Sequence, residues 1–207
     1  MLEIQNFDVF LITTIIFIIV PGIDAMFVLS RSVSNGRASG IASSAGIATG
    51  AFIHTILSTV GLSLLLSQSI VLFTALKIIG GLYLIYIGIK SIVQKSDGIK
   101  IKQVLAVSLK KDYWQGVITN VANPKNILFY LSFLPQFVST DSVENALPFL
   151  ILGATFSFVV LIWYISVSFF TSFATKDIKD SKLFNTIMNK VSGVVFVGLG
   201  VKLMSSK

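Results

Sequence analysis

Between Arg37 and Lys77 the chain runs for 39 residues without a formal charge, with His54 counted as neutral. A membrane-crossing helix needs about 20 apolar residues. The run is nearly twice that, so it must cross, turn and cross back, and Ser67-Gln68-Ser69 is the expected turn. Few chains of this kind fold in water. Charged residues make up 12% of the sequence and hydrophobic ones 54%, with a mean hydropathy of +0.88. The balance excludes a soluble globular domain, a disordered chain and a coiled coil.

The remaining charges divide the chain into six expected spans, at about residues 7–30, 39–66, 70–93, 114–138, within the uncharged stretch 145–175, and 184–204. All 207 residues then form one membrane domain, an all-α protein of six transmembrane helices. The start, Met1-Leu2-Glu3-Ile4-Gln5-Asn6-Phe7-Asp8, has two acids and no base, so a retained first span is expected rather than a signal peptide. Basic residues cluster in alternate loops: Arg31 and Arg37; Lys95, Lys100, Lys102, Lys110 and Lys111; Lys176, Lys179 and Lys182. By the positive-inside rule these loops face the cytoplasm and both termini face outside, against only Lys202 and Lys207. The formal charge of +7 is thereby assigned to topology, and nucleic acid is not expected as a partner. The absence of Cys excludes disulfides and thiol chemistry, and one His gives metal or haem sites little support, so no cofactor is expected.

The two halves resemble each other. The pattern Gly-x6-Gly-x-Lys occurs at Gly81, Gly88 and Lys90 and again at Gly193, Gly200 and Lys202. Pro21 and Pro124 each sit near the middle of a span. Three helices are an odd number, so the second half must enter the membrane from the opposite side. The expectation is two inverted three-helix repeats, about 1–95 and 113–207, joined by a cytoplasmic loop at about 95–112, an arrangement found in many secondary transporters.

Polar residues collect at the two prolines. In Val20-Pro21-Gly22-Ile23-Asp24, proline removes a helical N–H and glycine loosens the chain. The backbone freed there must find partners in protein or in a wet cavity. The helix restarting behind Pro21 offers N–H groups suited to a carboxylate. Asp24, one turn on, faces either a cavity or the cytoplasmic surface near Arg31. The second break, Asn120-Val121-Ala122-Asn123-Pro124-Lys125, adds a cation at depth. Lys125 either meets a substrate or pairs with Asp24. Ala42, Gly46, Gly50 and His54 share one helix face, a packing seam within the protein or in a homodimer. His54 on that face either shuttles protons or is a hydrogen-bonded structural residue. Lys77 is read as snorkelling outwards, and the amphipathic stretch 100–111 as lying on the anionic leaflet or as a solvated loop.

These motifs resemble a known family. Pro21-Gly22-x-Asp24, Gly36-Arg37-x-x-Gly40, Gly46-x3-Gly50 and His54 are similar to the first half of the lysine exporter (LysE/RhtB) family of amino-acid exporters. GGLYLIYIG at 80–88 resembles its third helix, and 116–138, with NPK and LPQF, its fourth. The family often has Pro-Gly-Pro where this chain has Ile23. The resemblance implies six helices, residence in the bacterial cytoplasmic membrane as a multi-pass protein, and export of amino acids or their derivatives coupled to the proton gradient or the membrane potential. On this reading Pro21, Gly22, Asp24, His54, Asn120, Asn123, Pro124 and Lys125 form a site for an amphoteric small molecule and protons. An intramembrane serine protease fits less well. Ser63 and His54 lie nine residues apart on one helix, about 13 Å along its axis, and no Gly-x-Ser-x-Gly occurs. A metal-ion exporter would want more intramembrane ligands than Asp24 and His54.

Overall fold

The computed structural model describes residues 4–20, 22–68, 70–93, 108–139, 145–171 and 182–205. Those residues are almost entirely helical. The order is α1 Phe7–Ile19, α2 Ile23–Asn35, α3 Arg37–Gln68, α4 Ile70–Val93, α5 Leu109–Val121, α6 Pro124–Phe133, a 3-10 turn Leu134–Phe137, α7 Ala146–Thr171 and α8 Lys182–Ser205. An isolated bridge between Ile4 and Val138 is the only β pairing among the described residues. Two of the expected spans are therefore each two helices. The first breaks between Ile19 and Ile23, where α1 and α2 meet at 55°. The fourth breaks at Ala122 and Asn123, ahead of Pro124. α3 runs through Ser67 and Gln68 of the expected turn, and α4 starts at Ile70. Pro21 and Ser69 lie outside the described residues, as do 94–107 and the side chain of Lys77.

α3 and α7 are each long and apolar enough to cross a membrane alone, and α1 with α2 qualifies as one bent span. The chain is thus a multi-pass membrane protein. Its exterior fits that setting. Val71, Phe158, Phe170 and Val194 are among many large apolar side chains left exposed, as lipid-facing residues are.

Lipid tails are as apolar as leucine, so helix association here depends on close packing and small residues. α3 is the central helix, lying against α2, α5 and α7. The glycine seam read from the sequence is internal. A Cβ on Gly46 would strike the Tyr113 carbonyl, one on Gly116 the Ser43 carbonyl, and one on Gly50 the Asn120 side chain. Gly36, with φ of 85°, ends α2 and turns the chain into α3 in a conformation few side-chain-bearing residues adopt. α4 packs chiefly against α8. Gly88 faces the Gly193 carbonyl and Gly193 the Gly88 carbonyl, while Gly81 and Gly200 face each other in the same reciprocal way. A Cβ on Gly88 would stand 2.7 Å from the Gly193 carbonyl oxygen, and backbone cannot give way as a side chain can. Gly88→Val should therefore destabilise the protein by about 1–3 kcal/mol, read as a lower unfolding midpoint in detergent. An unchanged midpoint would mean that α4 and α8 do not pack this way.

The aromatic core lies between the two broken spans and α7. Phe17, Phe129 and Phe156 form a chain of rings at centroid distances of 4.1 Å and 4.7 Å. Phe133 and Phe137 continue it towards Phe10. This block fixes α1 against α6 and holds the two breaks side by side.

Candidate substrate site

The two breaks meet around Asp24. Its carboxylate sits in the first turn of α2 and is buried. Three asparagines from the other broken span surround it. Asn120 and Asn126 donate to Oδ2, both at 2.8 Å, and Asn123 donates to Oδ1 at 3.1 Å. Asn120 closes α5, Asn123 caps α6 and Asn126 lies in the first turn of α6. The local sequence explains the placement. Pro124 is suited to a first helical position, where its missing N–H costs nothing. The residue before it, Asn123, accepts from the Lys125 N–H at 3.0 Å as the helix cap.

Lys125 does not pair with Asp24, so the purely structural ion pair is not what the geometry contains. Its ammonium reaches across to the end of α1 and donates to the carbonyls of Phe17 at 3.0 Å and Val20 at 3.2 Å. It also lies over the rings of Phe17 and Phe196, 4.3 Å and 5.1 Å from their centroids. The other reading of Asp24, at the cytoplasmic surface near Arg31, is likewise replaced by burial among the asparagines.

His54 stands behind Asn120. Its Nε2 lies 3.2 Å from the Asn120 carbonyl oxygen, and its ring stacks on Tyr130 at 5.5 Å. It therefore supports the asparagine without touching Asp24. Tyr130, Thr55 and Ser157 form a buried hydroxyl cluster beside it.

A cavity lies at this meeting point. Asp24, Asn120, Asn123, Lys125, Asn126 and Gly22 line its polar side, and Phe17, Ile18, Phe156, Val160 and Tyr164 its apolar side. Its volume of about 10 Å³ is room for about one water. A molecule larger than water can occupy it only after the elements that line it move apart. Of the residues expected here, Gly22, Asp24, Asn120, Asn123 and Lys125 converge, His54 lies one residue behind, Pro124 shapes the helix start, and Pro21 lies outside the described residues.

Asn126 was missed, although its signal is plain. It follows Asn123 by three residues, which puts both on one face of the helix begun at Pro124. A second polar cluster was also missed. Arg31, read as a loop charge, lies buried within α2. Its Nε is 3.3 Å from Oδ1 of the buried Asp112 on α5. Ser39 donates to the other Asp112 oxygen and Arg31 donates to Gln115. Arg31 belongs to packing between α2, α3 and α5.

Comparisons with known proteins identify the family to which the chain is similar. The profile of the family described as LysE type translocator matches residues 15–207. The chain is 32% identical over 194 residues to the uncharacterized membrane protein YrhP of Bacillus subtilis (strain 168), covering 89% of this chain and 91% of that protein. It is 27% identical over 207 residues to a leucine efflux protein of Enterobacter sp. (strain 638), covering 98% and 96% of the two chains. A leucine efflux protein of Salmonella choleraesuis (strain SC-B67) is 29% identical over 202 residues, covering 97% and 95%. No solved structure matches the chain.

Proposed function

Because the chain belongs to the LysE-type translocator family, a family of transporters and not of enzymes, we propose that it exports amino acids with apolar side chains, leucine among them, in exchange for protons. The observation that carries the reading is the buried Asp24, ringed by three amides where two helix breaks meet over a half-apolar cavity. An ionisable group within a span costs about 2.5–3.5 kcal/mol on insertion scales, which marks it as a functional group. The wall of Phe17, Ile18, Phe156, Val160 and Tyr164 suits an apolar side chain, in keeping with the names of two relatives.

The architecture behind this is six spans in two inverted repeats. The reciprocal glycine contacts support it. The contact of Gly81 with Gly200 becomes that of Gly193 with Gly88 when the repeats are exchanged, as a two-fold axis requires. The bridge of Ile4 to Val138 brings the amino-terminal segment beside the end of the fourth span, in keeping with outward placement of both. The setting is the bacterial cytoplasmic membrane with both termini outside. Reporter fusions at Gln68, Asp141 and Lys207 should all give external signals, and a cytoplasmic signal at Asp141 would contradict the six-span topology.

In the cycle, Asp24 takes up a proton or the substrate's ammonium, and Lys125 turns to the substrate's carboxylate. A proton on Asp24 and a substrate in the cavity exclude one another, which gives antiport. His54 holds Asn120, and through it the carboxylate. An uptake screen of labelled amino acids in inside-out vesicles tests the substrate class. Leucine and its apolar neighbours should accumulate with an imposed proton gradient, acidic inside, and not without it. Uptake confined to charged amino acids would contradict the reading.

A further inference from the structure

The end of α1 carries a site for a cation, and Lys125 fills it. In a continuous helix the Phe17 carbonyl would accept from the N–H of residue 21. That residue is Pro21, which has none. The carbonyl is thereby left to the Lys125 ammonium, as is that of Val20. The faces of Phe17 and Phe196 add two ring surfaces of negative potential, and the carboxyl end of α1 contributes its partial negative charge. Two carbonyls and two aromatic faces make a cage for a primary ammonium, with no carboxylate required. Gly22 lies against the lysine end, where a Cβ would stand 3.5 Å from the Lys125 nitrogen. Phe17, Gly22 and Lys125 all line the cavity that Asp24 faces, so the cage opens onto it.

We propose that this cage is the subsite for the α-ammonium of the transported amino acid, and that Lys125 occupies it as a tethered stand-in until substrate arrives. The arriving ammonium takes the two carbonyls and rings. The displaced Lys125 ammonium turns to the substrate's carboxylate. Asp24, already matched by three amide donors, is then left to the proton. The inference rests on the transport reading of the Asp24 cavity and divides the roles within it.

The test is binding to purified full-length protein in detergent, with leucine and with 3-methylbutylamine, which is leucine without its carboxyl group. Removing Lys125 should have opposite effects on the two. In Lys125→Ala, leucine should bind about tenfold more weakly and the amine about tenfold more tightly, each a change of about 1.4 kcal/mol. Lys125→Met, which keeps most of the stem, should behave likewise and serves if the alanine variant folds poorly. Adding Phe196→Leu should reduce the amine's gain several-fold. Amine binding that is unchanged or weaker in both lysine variants would overturn the proposal and reduce Lys125 to a cap on α1. Leucine transport could then still stand. Conversely, tighter amine binding in a protein that binds no leucine would keep the cage for ammonium ligands and remove the substrate reading.

Discussion

Asp24→Asn should abolish gradient-driven leucine transport, by about a hundredfold or more, while leaving a folded and inserted protein. The side chain keeps its size but can no longer carry a proton, and a lost coupling group stops net movement against a gradient. Folding should suffer less. The asparagine still offers one acceptor to the three amides that now reach the Asp24 oxygens. It turns an N–H towards donors at the other position, a loss of about 1–3 kcal/mol. Exchange of labelled for unlabelled leucine separates two roles. If Asp24 carries only the proton, exchange should persist in the variant while gradient-driven uptake disappears. Loss of exchange together with uptake would place the substrate's ammonium on Asp24. Normal gradient-driven uptake by Asp24→Asn would remove the residue from the mechanism.

The largest effect on stability is expected at the second cluster. Asp112→Ala strips the partner from Arg31, which is already buried with one guanidinium nitrogen, Nη1, lacking a hydrogen-bond partner among the described residues. Breaking a buried pair from one side typically costs about 3–5 kcal/mol, because the remaining charge cannot reach water. Removing both charges and filling the space should recover most of that loss, since packed apolar residues often match a buried ion pair. Unfolding midpoints in detergent should therefore fall steeply for Asp112→Ala and return near the starting value for Arg31→Met combined with Asp112→Leu. Equal destabilisation by the single and double substitutions would show that the charges, and not the packing, hold α2 to α5.

Much of the helix layout was legible because the chain has few charges and most of them fall between spans. Gaps in charge place α3, α4, α7 and α8 within a few residues. The prolines mark the two breaks through simple chemistry, a missing N–H and a ring clash. Which side chains face one another was harder to read. Arg31 is the first charge after an apolar stretch, so it looked like the start of a loop. Only the contact with Asp112, far away in sequence, shows why a charge can stay inside. Of the two readings of Lys125, the pairing with Asp24 is the one the geometry sets aside. Opposite charges at matching depth invite pairing, yet the carbonyls freed by Pro21 offer the ammonium a set of acceptors and ring faces that a single carboxylate does not. The asparagines around Asp24 then supply what the lysine does not. Asn126 escaped notice because the motif was read as ending at Lys125, although helix periodicity places it beside Asn123.

The most direct measurement is proton movement caused by leucine. Purified protein in liposomes holding a pH-sensitive dye, with the membrane potential clamped, should show an outward proton flux when leucine is added outside. The flux should be missing in Asp24→Asn liposomes that still exchange labelled leucine. Leucine entry with no accompanying change in internal pH in the unsubstituted protein would contradict proton-coupled export through this site.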